Sequence, residues 1–224
     1  MTELAGVYRV ARSAAPVREQ AVIQLRSLLA GRFQPGERVT EATVCELLGT
    51  SRTTVREALR QLETEGLIEI VPGKGPTVAR VSESDVRDLY EIREVLESFA
   101  IMLFTERASA DEKARLASAF SDLEKAHASG EATRVLEAKQ AFYDVLFEGA
   151  HNNSISALSQ RIYYQVARVR LASLSAERIQ AGIGELRIVH EFMAAGSARE
   201  AQDAYAVHMR NAREAAVEAV KRFN

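Results

Sequence analysis

Cysteine and proline are both scarce in this 224-residue chain. Cys45 is the single cysteine, so no intramolecular disulfide can form. It lies beside Val44 and Leu47 in a short apolar stretch and reads as a small buried residue rather than a redox sensor. The four prolines all fall at or before Pro76, which leaves the rest of the chain free of the strongest helix breaker. No apolar run reaches transmembrane length and no hydrophobic leader segment is visible, so a cytoplasmic protein without membrane contact is expected. A nucleophile elbow, an HExxH motif, a phosphate loop and a tight acid–base cluster are all missing, which argues against an enzyme. Neither sign of charge dominates, at 29 basic against 31 acidic residues. The pI near 6.2 speaks against indiscriminate coating of nucleic acid.

The charge is unevenly spread. Through Arg80 there are 11 basic and 9 acidic residues; beyond it, 18 and 22. Cations focused on one surface of the N-terminal part suit a specific DNA contact. The richest stretch is Gly49–Gly66, GTSRTTVREALRQLETEG. Ser51 is placed as a helix N-cap, Val55, Ala58, Leu59 and Leu62 recur at helical spacing, and Arg52, Arg56 and Arg60 repeat every four residues. The first turn carries Ser51, Arg52, Thr53 and Thr54. Hydroxyls and backbone N–H groups there can hold phosphates, and guanidinium can bond guanine O6 and N7 together. The pattern is that of a recognition helix.

Its surroundings extend the pattern. Helices are expected over Val17–Leu29, closed by the turn Phe33–Gln34–Pro35–Gly36, and over Glu41–Leu48, closed by Gly49. Two β-prone runs, Leu67–Val71 and Thr77–Val81, flank Pro72–Gly73–Lys74–Gly75–Pro76. This order makes a winged helix-turn-helix over residues 16–81, whose glycine-rich tip lets Gly73 approach a phosphate while Lys74 supplies charge. Residues 1–15 show no periodicity and are expected to form a flexible tail.

The stretch FQPGERVTEATVCELLGTSRTTVREALRQLETEGLIEIVPGKG resembles the N-terminal domain of the GntR family of bacterial regulators. The resemblance implies that Ser51, Arg52, Thr53, Thr54, Arg56 and Gly73 face a double-stranded, palindromic operator. Some members carry a further arginine where this chain has Ala42.

From residue 82 to 224 the pattern is helical throughout, giving a mainly α protein whose second domain is an antiparallel bundle. A stripe of Leu89, Ile92, Leu96, Phe99 and Leu103 marks the first helix, about Asp85–Arg107. Ser109 with Glu112, and Ser197 with Glu200, are expected capping boxes. Further helices are expected over Ala132–Gly149, Ile155–Leu174 and Ala176–Ala195, the last with a break around Gly182–Ile183–Gly184, and then on to Phe223. Asn152 is expected to cap a helix; His127, His151 and His190 are expected at the surface or in caps.

Tyr90–Glu91–Ile92–Arg93 with Glu97, Ala141–Phe142–Tyr143 leading to His151–Asn152, and Gly196…Ala201…His208 resemble the FCD effector-binding domain of the FadR subfamily. Many such domains hold a divalent metal through an aspartate, a histidine four residues on, and two further histidines. The resemblance places Lys139, Tyr143 and Leu186 at three of those positions and keeps only His208. Lys, Tyr and Leu beside one imidazole are no metal site, so no cofactor is expected. In one reading Lys139, Tyr143, Leu186, His208 and Arg93 line a metal-free pocket for a carboxylate effector, with Lys139 as fixed charge and Arg93 as a bidentate clamp. In the other, Lys139 lies on a solvated face and Tyr143 and His208 are hydrogen-bonded core residues. The functional expectation is a repressor that binds DNA as a homodimer under control of a small anionic metabolite. The alternative is a DNA-binding dimer whose helical domain only dimerises.

Overall fold

A computed structural model describes residues 17–222, and the expected N-terminal tail lies outside them. The chain divides into two compact units, Met1–Ala79 and Arg80–Asn224.

In the first unit three helices pack around one core: α1 Val17–Gly31, α2 Glu41–Leu48 and α3 Arg52–Thr64. Val22, Leu25, Val44, Val55, Ala58 and Leu62 are almost fully buried there. Each of the two turns before α3 has a local cause. The Thr40 hydroxyl accepts the Thr43 N–H at the start of α2, and Gly49 closes that helix in the left-handed conformation, at φ 60°. Arg26 of α1 bonds Glu65 beyond α3, with its Nε 2.9 Å from Oε2, fixing the far end of α3 to α1. The wing is a hairpin of β1 Ile68–Val71 and β2 Gly75–Val78, paired antiparallel with Val71 opposite Gly75. Pro72 and Gly73 occupy the corners of a type II turn: Gly73 has φ 75° and the Lys74 N–H returns to the Val71 carbonyl. The second strand begins two residues earlier than its β-branched run and ends at Val78, because its outer edge pairs with residues 36–39. Val39 donates to Pro76 O and Val78 to Glu37 O.

Among the described residues the second unit is wholly helical: α4 Glu83–Arg107, α5 Ala110–Ser129, α6 Ala132–Gly149, α7 Asn153–Ala172, α8 Ala176–Ala194 and α9 Ala198–Lys221. Capping boxes start α4 at Ser82/Asp85 and α5 at Ser109/Glu112. Asn152 accepts the Ile155 N–H and starts α7.

Several sequence expectations are corrected. The face of α4 that enters the core carries Val86, Tyr90, Arg93, Glu97, Ile101 and Phe104, whereas Ile92, Val95 and Phe99 are 49%, 68% and 39% exposed. A buried ion pair has taken the inner face, and part of the apolar stripe has been turned outward. α8 runs unbroken through Gly182 and Gly184. Ser197 makes no side-chain cap, because the Ala195–Ser197 link is drawn into the end of α8: Ser197 N–H bonds Phe192 O and Gly196 has φ 75°. His127 is buried rather than at the surface, its Nδ1 2.8 Å from the Leu123 carbonyl.

Candidate DNA interface and effector cavity

The N-terminus of α3 is built from its own sequence. The Ser51 hydroxyl accepts the Thr54 N–H at 3.2 Å and lies 2.9 Å from the Thr54 hydroxyl. The apolar face is drawn fully inward, which leaves Ser51, Arg52 and Thr53 exposed on one turn and Arg56 on the next. Arg56 is not loose. Its Nε bonds Glu41 Oε1 at 2.6 Å, and Glu41 heads α2. The bond from Arg56 holds the Glu41 carboxyl below its usual range against the opposing effect of desolvation, and the charges of Arg56 and Arg52 lower it further. Because only Nε is used, both terminal nitrogens of Arg56 stay clear of Glu41. Glu41 carried no signal in the reading of the sequence, since its role depends on α2 crossing the start of α3. On the wing, Gly73 sits at the exposed tip, while Lys74 folds back so that Nζ bonds the Gly36 carbonyl at 2.5 Å.

The bundle holds a small, partly open cavity of about 30 Å³, walled by α4, α6, α7, α8 and α9. Arg93, Lys139, Tyr143 and His208 all line it, and Leu186 does not: it is fully buried in the hydrocarbon core. Lys139 therefore faces the cavity, 9% exposed, rather than solvent. Burial pushes its pKa down to about 7, helped by the charges of Arg170, Arg178 and Arg93 and opposed by Glu185. Arg93 is paired within the wall, with Nε 2.8 Å from Glu97 and the guanidinium over the Tyr90 ring at 4.5 Å. Glu97 also takes the Tyr205 hydroxyl, which lies 2.8 Å from that of Tyr143. Burial raises the Tyr143 pKa to about 12, so it stays a neutral phenol.

His208 is part of a second network. Its Nδ1 lies 2.6 Å from Glu185, which also receives Arg178 and Asn211. Burial lowers the His208 pKa to about 4, so at neutral pH this contact is a hydrogen bond from a neutral imidazole and not an ion pair. Burial pushes Glu185 up, but the bonds from Arg178, His208 and Asn211 outweigh it and hold the carboxylate well below its usual range. Arg170 was not singled out in the sequence; it lines the cavity with its guanidinium 4.7 Å from the Tyr163 ring. Arg178 was not singled out either, and both residues lie in segments with no distinctive motif.

Two family models match the chain. Residues 17–78 match bacterial regulatory proteins of the gntR family, and residues 88–211 match the FCD domain. The chain belongs to the GntR family of regulators.

Within that family it carries the FadR-type combination of DNA-binding and FCD domains. It is 32% identical over 133 residues to YdhC, an uncharacterised HTH-type transcriptional regulator of Bacillus subtilis, covering 59% of each chain. It is 26% identical over 147 residues to the HTH-type transcriptional repressor GlaR of Escherichia coli, covering 64% of this chain and 67% of GlaR. The chain thus spans about three-fifths of YdhC. In fold it is similar to McbR/YncC of E. coli, with a TM-score of 0.81, 19% identity, and 94% of this chain and 100% of that one covered. The matched domains and relatives are transcriptional regulators and not enzymes.

The metal common in FCD domains can be tested against the donors present. Of the four positions, Leu186 is hydrocarbon, Lys139 is a cation, the Tyr143 hydroxyl is engaged by Tyr205, and His208 is engaged by Glu185. No group of three or more His, Cys, Asp or Glu side chains that could hold a metal occurs among the described residues. His190 stacks on Phe120 at 4.5 Å, His151 faces Glu112 at 3.3 Å, and Asp144 bonds Gln140. These donors do not fit a metal at this cavity.

Proposed function

We propose that this GntR-family protein is a cytoplasmic repressor that binds a palindromic DNA operator as a homodimer. Its grip on DNA is altered by a small anionic metabolite held without metal in the bundle cavity. The observation that carries the reading is the exposed first turn of α3, where Arg52, Thr53 and the free terminal nitrogens of Arg56 share one surface beside a capped helix N-terminus. One recognition helix per chain suits two-fold pairing on a palindrome. The exposed Ile92, Val95 and Phe99 on α4 supply an apolar face for a second copy. A repressor role is in line with the name of the relative GlaR. The effector reading is favoured over a purely dimerising bundle because Lys139 is buried facing a cavity, where a dimerisation domain has no use for it.

Selection of genomic fragments by the full-length protein, with Arg52→Ala in parallel, tests the DNA half. Enrichment of one short palindrome by the wild type alone is expected. Equal, sequence-independent enrichment by both proteins would sink it.

A further inference from the structure

Lys139 lies mid-way along α6, buried against the cavity, and makes no ion pair among the described residues. Charged or titratable groups face it from every neighbouring helix. They are Arg93 from α4, His127 from α5, Arg170 from α7, Arg178 and Glu185 from α8, and His208 from α9. Only Glu185 favours its proton, and that carboxylate already serves Arg178, His208 and Asn211. Burial and the three guanidiniums drain the ammonium, bringing its pKa to about 7, so a large share of the amine is neutral at neutral pH. A desolvated lysine crowded by other cations is an activated nucleophile.

The wall then has one charge left over. Arg93 pairs with Glu97, and Arg178 with Glu185. Arg170 makes no ion pair among the described residues; its guanidinium rests on the Tyr163 ring at 4.7 Å. The neutral Tyr143 and His208 leave that count unchanged. A buried amine without a proton beside a cation without a counter-charge calls for a reaction that puts one negative charge on the amine.

Space narrows the choice of electrophile. The cavity, at about 30 Å³, has room for roughly two water-sized groups. An atom placed where Gly182 lacks its Cβ would lie 3.8 Å from Lys139 Nζ and 3.4 Å from Arg178 Nη2. A small group at that point touches amine and guanidinium together.

We propose that Lys139 is a carbon dioxide site, its amine carried as a carbamate that pairs with Arg170. The Nζ lone pair attacks the carbon of CO2. An N–C bond forms as one C=O π bond opens onto its oxygen, and the nitrogen gives up one proton to solvent. The product adds one carbon, two oxygens and a single negative charge, which suits both the room and the charge count. An aldehyde or ketone would condense to an imine instead. That imine is cationic when protonated and neutral otherwise, and either form leaves Arg170 unpaired. The inference stands apart from the effector reading. It meets it at one point: a carbamate and an anionic metabolite draw on the same cations, so each is expected to displace the other.

The test is carbon-13 NMR of the full-length protein in labelled bicarbonate at about pH 7.5, with carbamates then alkylated by triethyloxonium and mapped by peptide mass spectrometry. A carbamate resonance and a trapped carboxyl group on the Lys139 peptide are expected. The N-terminal amine, which titrates in the same range, supplies a control signal that persists in Lys139→Met. At constant dissolved CO2 the Lys139 signal should climb as pH rises through about 7 and level off above it, whereas an ordinary surface lysine is still gaining near ~10. Arg170→Gln, on a half-buried residue, should raise the CO2 needed for half occupancy by on the order of tenfold, because it removes the counter-charge and lets the amine keep its proton. Lys139→Met should lose the resonance while melting as cooperatively as the wild type. Identical spectra for wild type and Lys139→Met, a trapped group spread evenly over surface lysines, or half occupancy unmoved by Arg170→Gln would each overturn the proposal. None of these results bears on the effector reading, which is decided by operator binding.

Discussion

Arg52 and Arg56 lie one turn apart on the same helix, yet their situations differ. Arg52 stands in the exposed first turn, so Arg52→Ala is expected to lower operator-over-random discrimination by ~1–3 kcal/mol, read from competition binding curves. Arg56 is held by Glu41 through Nε, which aims its terminal fork. Glu41→Gln is expected to blur base preference at one position while nonspecific affinity rises slightly, since a negative charge leaves the DNA-facing side. Lost nonspecific affinity would instead mean that Glu41 only supports the fold. In the bundle, the His208 pKa is lowered from 6.5 to about 4, so the unfolded chain binds the proton first as pH falls. Its contribution to stability is whole above about pH 6.5 and is lost on descent to pH 4. Thermal melts of His208→Gln should therefore show a shallower acid slope in that window than the wild type.

At the level of elements, short local signals set the boundaries and packing set the faces. Removing the cap in Ser51→Ala should cost ~0.5–2 kcal/mol in denaturant unfolding, because the Thr54 N–H loses its acceptor. Gly149 ends α6 against the ring of Phe104, where an added Cβ would come within 2.5 Å of Cε2. Phe104 is 1% exposed and has no room to retreat. Gly149→Ala is therefore expected to destabilise the second unit by ~1–3 kcal/mol through overpacking; an unchanged melting temperature would show that the α6 end gives way at no cost. At Gly182 an added Cβ would meet Arg178 Nη2 at 3.4 Å and Lys139 Nζ at 3.8 Å, ordinary contact distances, so no comparable clash arises there.

At the scale of the whole molecule, the proposed homodimer has a candidate face. Ile92, Val95 and Phe99 repeat at three- and four-residue spacing on α4 and stay exposed in the single chain. A charge placed there, as in Val95→Glu, should shift sedimentation equilibrium toward monomer and weaken binding to a full palindrome more than to a half-site. A dimer unaffected by the change would place the interface on another face.

Much of the architecture was determined by the sequence alone, because caps, glycine stops and helical periodicity act over a few residues. The start of α2, the cap of α3, the type II wing turn and the Ser109/Glu112 box all came from such local chemistry. The SRTTVREAL stretch carried the DNA-binding domain for the same reason. Tertiary structure decided what depends on residues far apart in the chain. It buried Arg93 with Glu97 and turned Ile92 outward, and it sent Leu186 into hydrocarbon while Arg170 and Arg178 went to the cavity wall. It also brought Glu41 to Arg56 and gathered four cations from four helices around Lys139's side of the bundle. No periodicity in one helix encodes which charges another helix brings to meet it; electrostatic balance is a property of the assembled site.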